Sequence, residues 1–247
     1  MATIEIIPVT GIGEIKPGDD LPHLLRDALE RQGVAPAPGD VLVVCQKIVS
    51  KAEGRFVALD SVVVGAEARR LAGITRKDPR LVELVLSEAS AVVRAVPHVL
   101  IVRHRLGFVM ANAGIDRSNI GASAEERALL LPVDPDASAR RLHAALGCAV
   151  VISDSFGRPW RMGVTAVGIG ASGLPALLDR RGETDRDGRV LEVTQVAVAD
   201  LLACASVLAT GEGAEGIPAA LVRGYRLPAE TVPAAALNRP LAEDLFQ

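Results

Sequence analysis

The stretch Cys148-Ala-Val-Val-Ile-Ser-Asp-Ser-Phe-Gly-Arg-Pro-Trp-Arg-Met-Gly163 carries the pattern around which the fold is organised. Its first part is an apolar, β-branched run, which is typical of a buried strand. The run breaks at Asp154 and Ser155, and the Phe-Gly-Arg-Pro that follows is expected to end any regular element. Carboxylate and hydroxyl oxygens at a strand end suit hard cations such as Mg²⁺ or Mn²⁺. Asp154 fits a capping role equally well, and Arg158 and Arg161 can either receive anions or face solvent.

Strands and helices are predicted on both sides of this stretch. Alternating or β-branched runs predict strands at 3–9, 41–45, 165–170 and 219–223. Three short strands at 91–95, 99–104 and 107–111 indicate an antiparallel meander more than βαβ units. Helical periodicity covers 21–31, 66–72, 78–89, 135–146 and 190–209. Asp20 and Gly33 are the expected start and stop signals of the first of these helices.

Composition excludes several classes of protein. The 247 residues fit one large domain or two small ones, and 27 Lys and Arg against 30 Asp and Glu argue against a nucleic-acid binder. The apolar run at 162–178 is interrupted by glycines, so no transmembrane segment is predicted, and the N-terminus lacks the basic region of a signal peptide. Three widely spaced cysteines predict reduced thiols in a cytoplasmic protein.

Two segments match the G-x-G-x-x-G spacing, at 168–173 and 211–216. The first follows a predicted strand, which is the position of a dinucleotide-binding loop, but the βαβ unit that such a fold needs is missing. The second follows a helix, which is the wrong context for a dinucleotide loop. The sequence contains no P-loop, no G-x-S-x-G and no H-E-x-x-H motif.

Acidic residues and glycine loops form the remaining pattern. Asp116, Asp154 and Glu212 each lie at the end of a predicted element, and their convergence would hold one or two divalent cations. The glycine loops at 10–13 and 210–216 offer backbone N–H groups to anions, and Lys51 could provide a positive charge to a phosphate. The residues alone predict metal-dependent phosphate chemistry. A metal-dependent phosphohydrolase and an inactive nucleotide-binding module both remain alternatives.

Taken together, motifs along nearly the whole chain resemble the coenzyme F420-0:L-glutamate ligase family, the γ-glutamyl ligases of deazaflavin coenzyme biosynthesis. The motifs, in order, are IIPVTG at 6–11, KPGDDL at 16–21, GDVLVVC at 39–45, SKAEGR at 50–55, NAGIDRSN at 112–119, LLLP at 129–132, ISDSFGR at 152–158 and GEGAEGIP at 211–218. Each motif alone is weak, and the ordered set is specific.

The resemblance implies a GTP-dependent ligase with an acyl-phosphate intermediate. GTP would phosphorylate the terminal carboxylate of the phospholactyl arm of F420-0, or of dehydro-F420-0. The amine of L-glutamate would then form the amide, with GDP and phosphate as products. Some members add a second glutamate through its γ-carboxyl. The family resemblance also implies two Mg²⁺ or Mn²⁺ ions, and K⁺ as a further cation.

Site residues are carried over from the family motifs. The implied metal ligands are Asp116, Asp154, Ser155 and Glu212, and Ser155 replaces a hydroxyl residue that is often Thr. The implied GTP contacts are Thr10, Gly11, Ile12, Gly13, Ser50, Lys51, Asn119, Thr210, Gly211, Gly213, Ala214, Glu215, Gly216 and Ile217. Arg158 and Arg161 are kept as anion contacts. No general base is assigned. Beside the ligase, an inactive module that binds a nucleotide or a deazaflavin stays an alternative.

The implied fold is α+β, with mixed, largely antiparallel sheets, two subdomains and an intertwined homodimer. The ligase domain is expected at 1–225, followed by a C-terminal tail or linker at 226–247. Some members carry a further nitroreductase-like domain, so the chain is expected to be a stand-alone ligase or the ligase domain of such a fusion, without FMN.

Overall fold

The computed structural model describes residues 3–123 and 125–244. The helices are α1 (Leu21–Arg31), α2 (Gln46–Ala52), α3 (Ala66–Thr75), α4 (Pro79–Ser87), α5 (Pro135–Leu146) and α6 (Val198–Thr210). The strands are β1 (Glu5–Pro8), β2 (Val41–Cys45), β3 (Phe56–Ala58), β4 (Ala89–Val96), β5 (Val99–His104), β6 (Val109–Ala111), β7 (Arg127–Leu129), β8 (Ala149–Arg158), β9 (Arg161–Ser172), β10 (Leu177–Asp179), β11 (Gln195–Ala197) and β12 (Ala219–Arg223). The predicted α+β class, with mixed and mostly antiparallel sheets, is confirmed.

The central sheet has the strand order β1-β12-β2-β8-β9. Its β2–β8 pair is parallel, and the other neighbours are antiparallel. The parallel register pairs Val41 with Ala149 and Cys45 with Ser153. Because parallel strands end at the same edge of a sheet, the residues that follow Cys45 lie beside Asp154. The sheet thus fixes the position of the candidate site.

Apolar side chains of β8 fill the core on both faces of this sheet. Ile152 packs in the cluster with α1, α2 and α5, whereas Val151 packs on the opposite face with α6. Both side chains are fully buried. Truncating a buried Ile to Ala costs about 2–5 kcal/mol, so this strand is a major source of stability.

The apolar run stops at Asp154 as predicted, but the prediction that the strand breaks there is wrong. β8 continues to Arg158 and pairs with β9 in a hairpin, with Asp154 opposite Val167. The register shifts between Ile152 and Ser153, which indicates a bulge where the strand leaves the core. Cross-strand pairing therefore overrides the local turn signal.

Other helix predictions meet mixed outcomes. Asp20 caps α1 by accepting a hydrogen bond from the His23 backbone N–H at 3.1 Å, and α5 ends at Gly147, which has a φ of 74°. The helix predicted at 190–209 begins only at Val198, because β11 precedes it and pairs with β10. Helix α2 was not predicted, since its seven residues are too short for a clear periodicity.

A second, smaller sheet has the order β4-β5-β6 and is antiparallel. This confirms the predicted meander. Helices α3 and α4 pack against it around Leu71, Val85 and Leu100. After β6 the chain forms a short 3₁₀ helix, and Asp116 then exchanges two backbone hydrogen bonds of 2.9 Å with Leu129. These bonds hold Asp116 beside the end of β2.

The tail after residue 225 packs on the body of the protein over its described part. The Ala234 backbone N–H donates to Asp136 Oδ1 at 2.9 Å, and Asn238 Nδ2 donates to the Leu106 carbonyl at 2.9 Å. Residues 1, 2 and 124 of the predicted domain and residues 245–247 of the predicted tail lie outside the described residues, and the boundary at 225 stays a prediction. Within residues 3–123 and 125–244, no helix is long and apolar enough to span a bilayer.

Candidate active site

A cleft of about 720 Å³ opens at the end of β2, beside the point where β8 leaves the core at Ser153 and Asp154. Its walls come from the turn after β1, the first turns of α2, the loop before β7, the β8–β9 hairpin and the loop after α6. Its lining includes Ile12, Gly13, Glu14, Cys45, Lys47, Lys51, Asp116, Asn119, Asp154, Ser155 and all residues from Thr210 to Pro218. The volume is in the range of small-molecule sites.

All four residues predicted as metal ligands line this cleft. Asp116 comes from the loop after β6, Asp154 and Ser155 from β8, and Glu212 from the loop after α6. Ser155 Oγ lies 2.6 Å and 2.7 Å from the two carboxylate oxygens of Glu212, to which it donates a hydrogen bond. Sequence positions far apart are therefore brought together, although their role as ligands stays a prediction.

The carboxylates of the cleft influence one another's pKa values. The pKa of Asp154 is raised to about 7 by burial and by the nearby charges of Asp116 and Glu212. Burial also raises the pKa of Asp116, although Lys47 and Gln46 oppose that rise. A raised pKa means that negative charge is not fully compensated by the protein's own groups. The cleft thus favours the binding of an added cation.

Two lysines bring positive charge to the same cleft. Lys51 Nζ lies 2.6 Å from Glu14 Oε1, and Lys47 Nζ lies 3.3 Å from Asp116 Oδ1. Lys51 is buried whereas Glu14 is exposed. Since Glu14 can turn into solvent at small cost, a phosphate can take its place beside Lys51.

The glycine loop after α6 is linked to the loop that follows Asp116. Asn119 Nδ2 donates to the carbonyl of Gly213 at 3.1 Å, and the Gly213 N–H donates to Glu215 Oε2 at 2.8 Å. Arg127 Nη2 donates to the carbonyl of Ile120 at 3.1 Å, which anchors the second loop from behind. The two loops form one wall of the cleft.

Other residues predicted to contact GTP or anions lie elsewhere. Thr10, Gly11 and Ser50 are not among the lining residues. The Thr10 N–H donates to Gln32 Oε1 at 2.8 Å and the Gly11 carbonyl accepts from Arg31, so both backbone groups face the end of α1. Arg158 and Arg161 pair with each other at the exposed tip of the β8–β9 hairpin, outside the cleft lining.

The donor set fits a hard divalent cation. Within the described ranges, no three His, Cys, Asp or Glu side chains already lie in metal-binding geometry. Glu212 is engaged by Ser155, and Asp116 is engaged by Gln46 and Lys47. The cluster offers only oxygen atoms and carries excess negative charge, which is the chemistry that Mg²⁺ and Mn²⁺ prefer. Metal binding would have to exchange some of these internal contacts.

Residues missed by sequence reasoning cluster at the end of β2. Gln46 and Lys47 both contact Asp116, and Cys45 lies at the base of the cleft. Burial, together with Asp154 and Asp116, raises the pKa of Cys45 to about 11, so its thiol stays protonated and is not a nucleophile at neutral pH. No local sequence pattern points to Gln46 and Lys47, because their partner Asp116 lies about 70 residues away in the chain.

Fold and cleft together define an α+β protein with an acidic, oxygen-rich small-molecule site bordered by lysines and a glycine loop. A sequence profile described as F420-0:Gamma-glutamyl ligase matches residues 11–224. The chain therefore belongs to the F420-0:gamma-glutamyl ligase family.

Individual relatives agree with this assignment. The chain is 42% identical to the coenzyme F420:L-glutamate ligase of Methanopyrus kandleri, with 100% of this chain and 99% of the relative covered. It is 44% identical to the protein of that name from Methanothermobacter thermautotrophicus, with 90% of this chain and 89% of the relative covered. It is 48% identical to the coenzyme F420:L-glutamate ligase of Natronomonas pharaonis, with 90% of this chain and 87% of the relative covered. The resemblance stated from the motifs is confirmed.

Proposed function

We propose that the chain is a GTP-dependent ligase that joins L-glutamate to the phospholactyl carboxylate of coenzyme F420-0, or of dehydro-F420-0. The observation that carries the proposal is the convergence of Asp116, Asp154 and Glu212 with Lys51 and a glycine loop in one cleft. Relatives that share 42% to 48% of their residues with this chain are named coenzyme F420:L-glutamate ligase. The site chemistry and the names of the relatives support the same reaction.

The reaction has two balanced steps. A carboxylate oxygen of the acceptor attacks the γ-phosphorus of GTP, and the bond to GDP breaks, leaving an acyl phosphate. The amine of L-glutamate then attacks the acyl carbon, phosphate leaves with its electron pair, and the nitrogen loses a proton. Both steps depend mainly on positioning and on neutralisation of charge. Addition of a second glutamate repeats the same chemistry on a γ-carboxyl.

The chain's own residues have distinct parts in this scheme. Asp116, Asp154, Ser155 and Glu212 would hold the Mg²⁺ or Mn²⁺ ions, which lower the repulsion between phosphate and carboxylate when bound. Lys51, released from Glu14, would bind a phosphate oxygen. The backbone of the loop at 210–217 would approach the phosphates closely because its glycines have no side chains, and the Gly213 N–H would exchange Glu215 for a phosphate oxygen. K⁺ stays a prediction from the family resemblance.

We assign a second copy of the chain to the surface formed by the β8–β9 hairpin and one face of α6, named here the hairpin surface. Met162 is 97% exposed and Leu208 is 87% exposed. Thr165 Oγ1 lies 2.9 Å from Cys204 Sγ, so β9 and this face of α6 adjoin. Large exposed apolar side chains on adjoining elements are typical of interaction sites. Met162→Glu combined with Leu208→Glu is expected to convert a dimer into a monomer in analytical ultracentrifugation.

A cytoplasmic location is part of the proposal. The three cysteines, Cys45, Cys148 and Cys204, are free thiols, which is typical of proteins in a reducing compartment. Measurement of the protein in cell fractions tests this directly. Recovery outside the cytoplasmic fraction would contradict it.

The decisive test of the reaction is GDP release measured with each component omitted in turn. The proposal predicts GDP only when F420-0, L-glutamate and Mn²⁺ or Mg²⁺ are all present. GDP release without F420-0 and L-glutamate would favour a phosphohydrolase. Nucleotide binding without any turnover would favour an inactive binding module.

A further inference from the structure

Ser50 and Gln46 form a buried hydrogen-bonded chain behind the cleft. Ser50 is 0% exposed and Gln46 is 1% exposed, so neither residue is open to solvent. Ser50 Oγ donates to Gln46 Oε1 at 2.9 Å, and Gln46 Nε2 donates to Asp116 Oδ2 at 2.7 Å. The family motif implied a GTP contact for Ser50, whereas its hydroxyl is directed at Gln46.

The chemistry of the groups fixes the direction of this chain. The Asp116 carboxylate, when ionised, only accepts hydrogen bonds, so the amide nitrogen of Gln46 must face it. The amide oxygen then faces Ser50, whose hydroxyl donates to it. Ser50 stabilises this orientation of the amide, and the reverse orientation would place two acceptors, the amide oxygen and the carboxylate, in contact.

Asp116 is held from further directions as well. Its Oδ1 lies 3.3 Å from Lys47 Nζ, and its backbone exchanges two hydrogen bonds of 2.9 Å with Leu129. Gln46 and Lys47 are successive residues of the first turn of α2, so one helix end contacts both carboxylate oxygens. Each oxygen keeps a second lone pair, which remains for a further partner in the cleft.

We infer that Gln46 and Ser50 are positioning residues that fix the Asp116 carboxylate for a divalent cation. The inference rests on the proposed function, because it takes Asp116 as a metal ligand. Hydrogen-bond partners behind a ligating carboxylate orient it, and their loss costs about 10- to 100-fold in metal affinity or activity. Gln46 would act directly on Asp116, and Ser50 through Gln46.

Metal binding by the purified protein tests this without the ligase reaction. Mn²⁺ binding by calorimetry is compared for wild type, Gln46→Met, Ser50→Ala and Ser50→Thr. We expect Gln46→Met to weaken Mn²⁺ binding about 10-fold or more, Ser50→Ala to weaken it less, and Ser50→Thr to retain most of the affinity because the hydroxyl is kept. The matched control is Ser206→Ala, since Ser206 is 1% exposed and its hydroxyl donates to the Leu202 carbonyl at 2.8 Å outside the cleft lining.

Thermal unfolding of each variant separates positioning from loss of the fold. Ser50→Ala and Ser206→Ala are expected to lose similar stability, whereas only Ser50→Ala weakens Mn²⁺ binding. The inference is overturned if folded Gln46→Met binds Mn²⁺ as wild type does, or if Ser50→Ala raises the KM for GTP with Mn²⁺ affinity unchanged. Wild-type protein that binds Mn²⁺ without forming an amide would contradict the proposed function and leave the positioning role intact.

Discussion

The two glycine segments at 168–173 and 211–216 share one spacing and have opposite roles. The first lies in or just after β9, where a Cβ on Gly170 would overlap the backbone carbonyl of Pro135 and a Cβ on Gly168 would lie 2.7 Å from Ala199 Cβ. The second lies in an exposed loop that lines the cleft. In the first segment the missing side chains let helices pack on the sheet, and in the second they leave the loop without side-chain bulk at its glycines beside the cleft. Spacing alone does not distinguish the two roles.

The largest expected effect is on the stability of the first segment. Gly170→Ala should lower the free energy of unfolding by about 3 kcal/mol, because the backbone of α5 cannot move away from the added methyl group. Chemical denaturation measures this. Gly157→Ala is the matched control in the same hairpin, since a Cβ there meets nothing within 4 Å. Equal free energies of unfolding for Gly170→Ala and Gly157→Ala would show that close packing does not require glycine at position 170.

The second segment should respond in activity and not in stability. Glu212→Gln is expected to slow glutamylation about 100-fold, because it removes one charge from the acidic cluster. The exposed position of Glu212 keeps the change in unfolding free energy within about 0.5 kcal/mol. Steady-state kinetics and denaturation are measured together, with Glu192→Gln as an exposed control outside the cleft lining. A normal rate for Glu212→Gln would contradict its assignment.

A milder change in the same loop sharpens the comparison. Gly213→Ala places a Cβ 3.3 Å from Glu215 Oε2, a flexible side chain that can move aside. The fold should therefore tolerate it, while the KM for GTP rises about 10-fold because the phosphates can no longer approach the backbone as closely. The KM is obtained from GDP release. If Gly213→Ala instead lowers the free energy of unfolding as much as Gly170→Ala does, both segments have a packing role and the distinction between them fails.

The smallest effect concerns the pH dependence of stability without metal. The pKa of Asp154 is raised from 3.8 to about 7 in the folded protein, so the folded state holds a proton that the unfolded state releases between these values. The contribution of this group to stability is therefore present at low pH and is lost as pH rises towards 7. Between pH 6 and pH 7.5, wild type should lose about 1 kcal/mol more than Asp154→Asn.

Denaturation of both proteins in chelator gives this difference, and comparing the two removes the contributions of other titrating groups. Mn²⁺ should restore the stability of wild type more at pH 7.5 than at pH 5, since it binds the ionised carboxylate. Parallel pH profiles for the two proteins would show that Asp154 has an ordinary pKa.

Much of the fold was predictable because local signals agreed with the tertiary structure. The Asp20 cap, the stop at Gly147 and the strand at 41–45 all follow from short-range physics that the structure keeps. The continuation of β8 to Arg158 was not predictable in the same way. It depends on pairing with β9, so a local turn signal was misleading.

The sequence predicted which residues line the site better than it predicted the contacts between their side chains. Strand-end and loop carboxylates at Asp116, Asp154 and Glu212 pointed to one cleft, and the family motifs named the same residues. The contacts of Gln46 and Lys47 with Asp116 join the chain just after β2 to a segment that is held by Leu129 of β7, and no local pattern encodes that meeting. The family motif likewise could not show that Ser50 faces Gln46 instead of the cleft.

Mass spectrometry of the F420-0 product tests the central claim most directly. Wild-type protein is incubated with F420-0, L-glutamate, GTP and Mn²⁺, and Asp154→Asn serves as the folded comparison. The account predicts an acceptor heavier by one or more glutamate residues, one GDP for each amide bond, and no product from Asp154→Asn. GDP formed while the mass of F420-0 stays unchanged would contradict it.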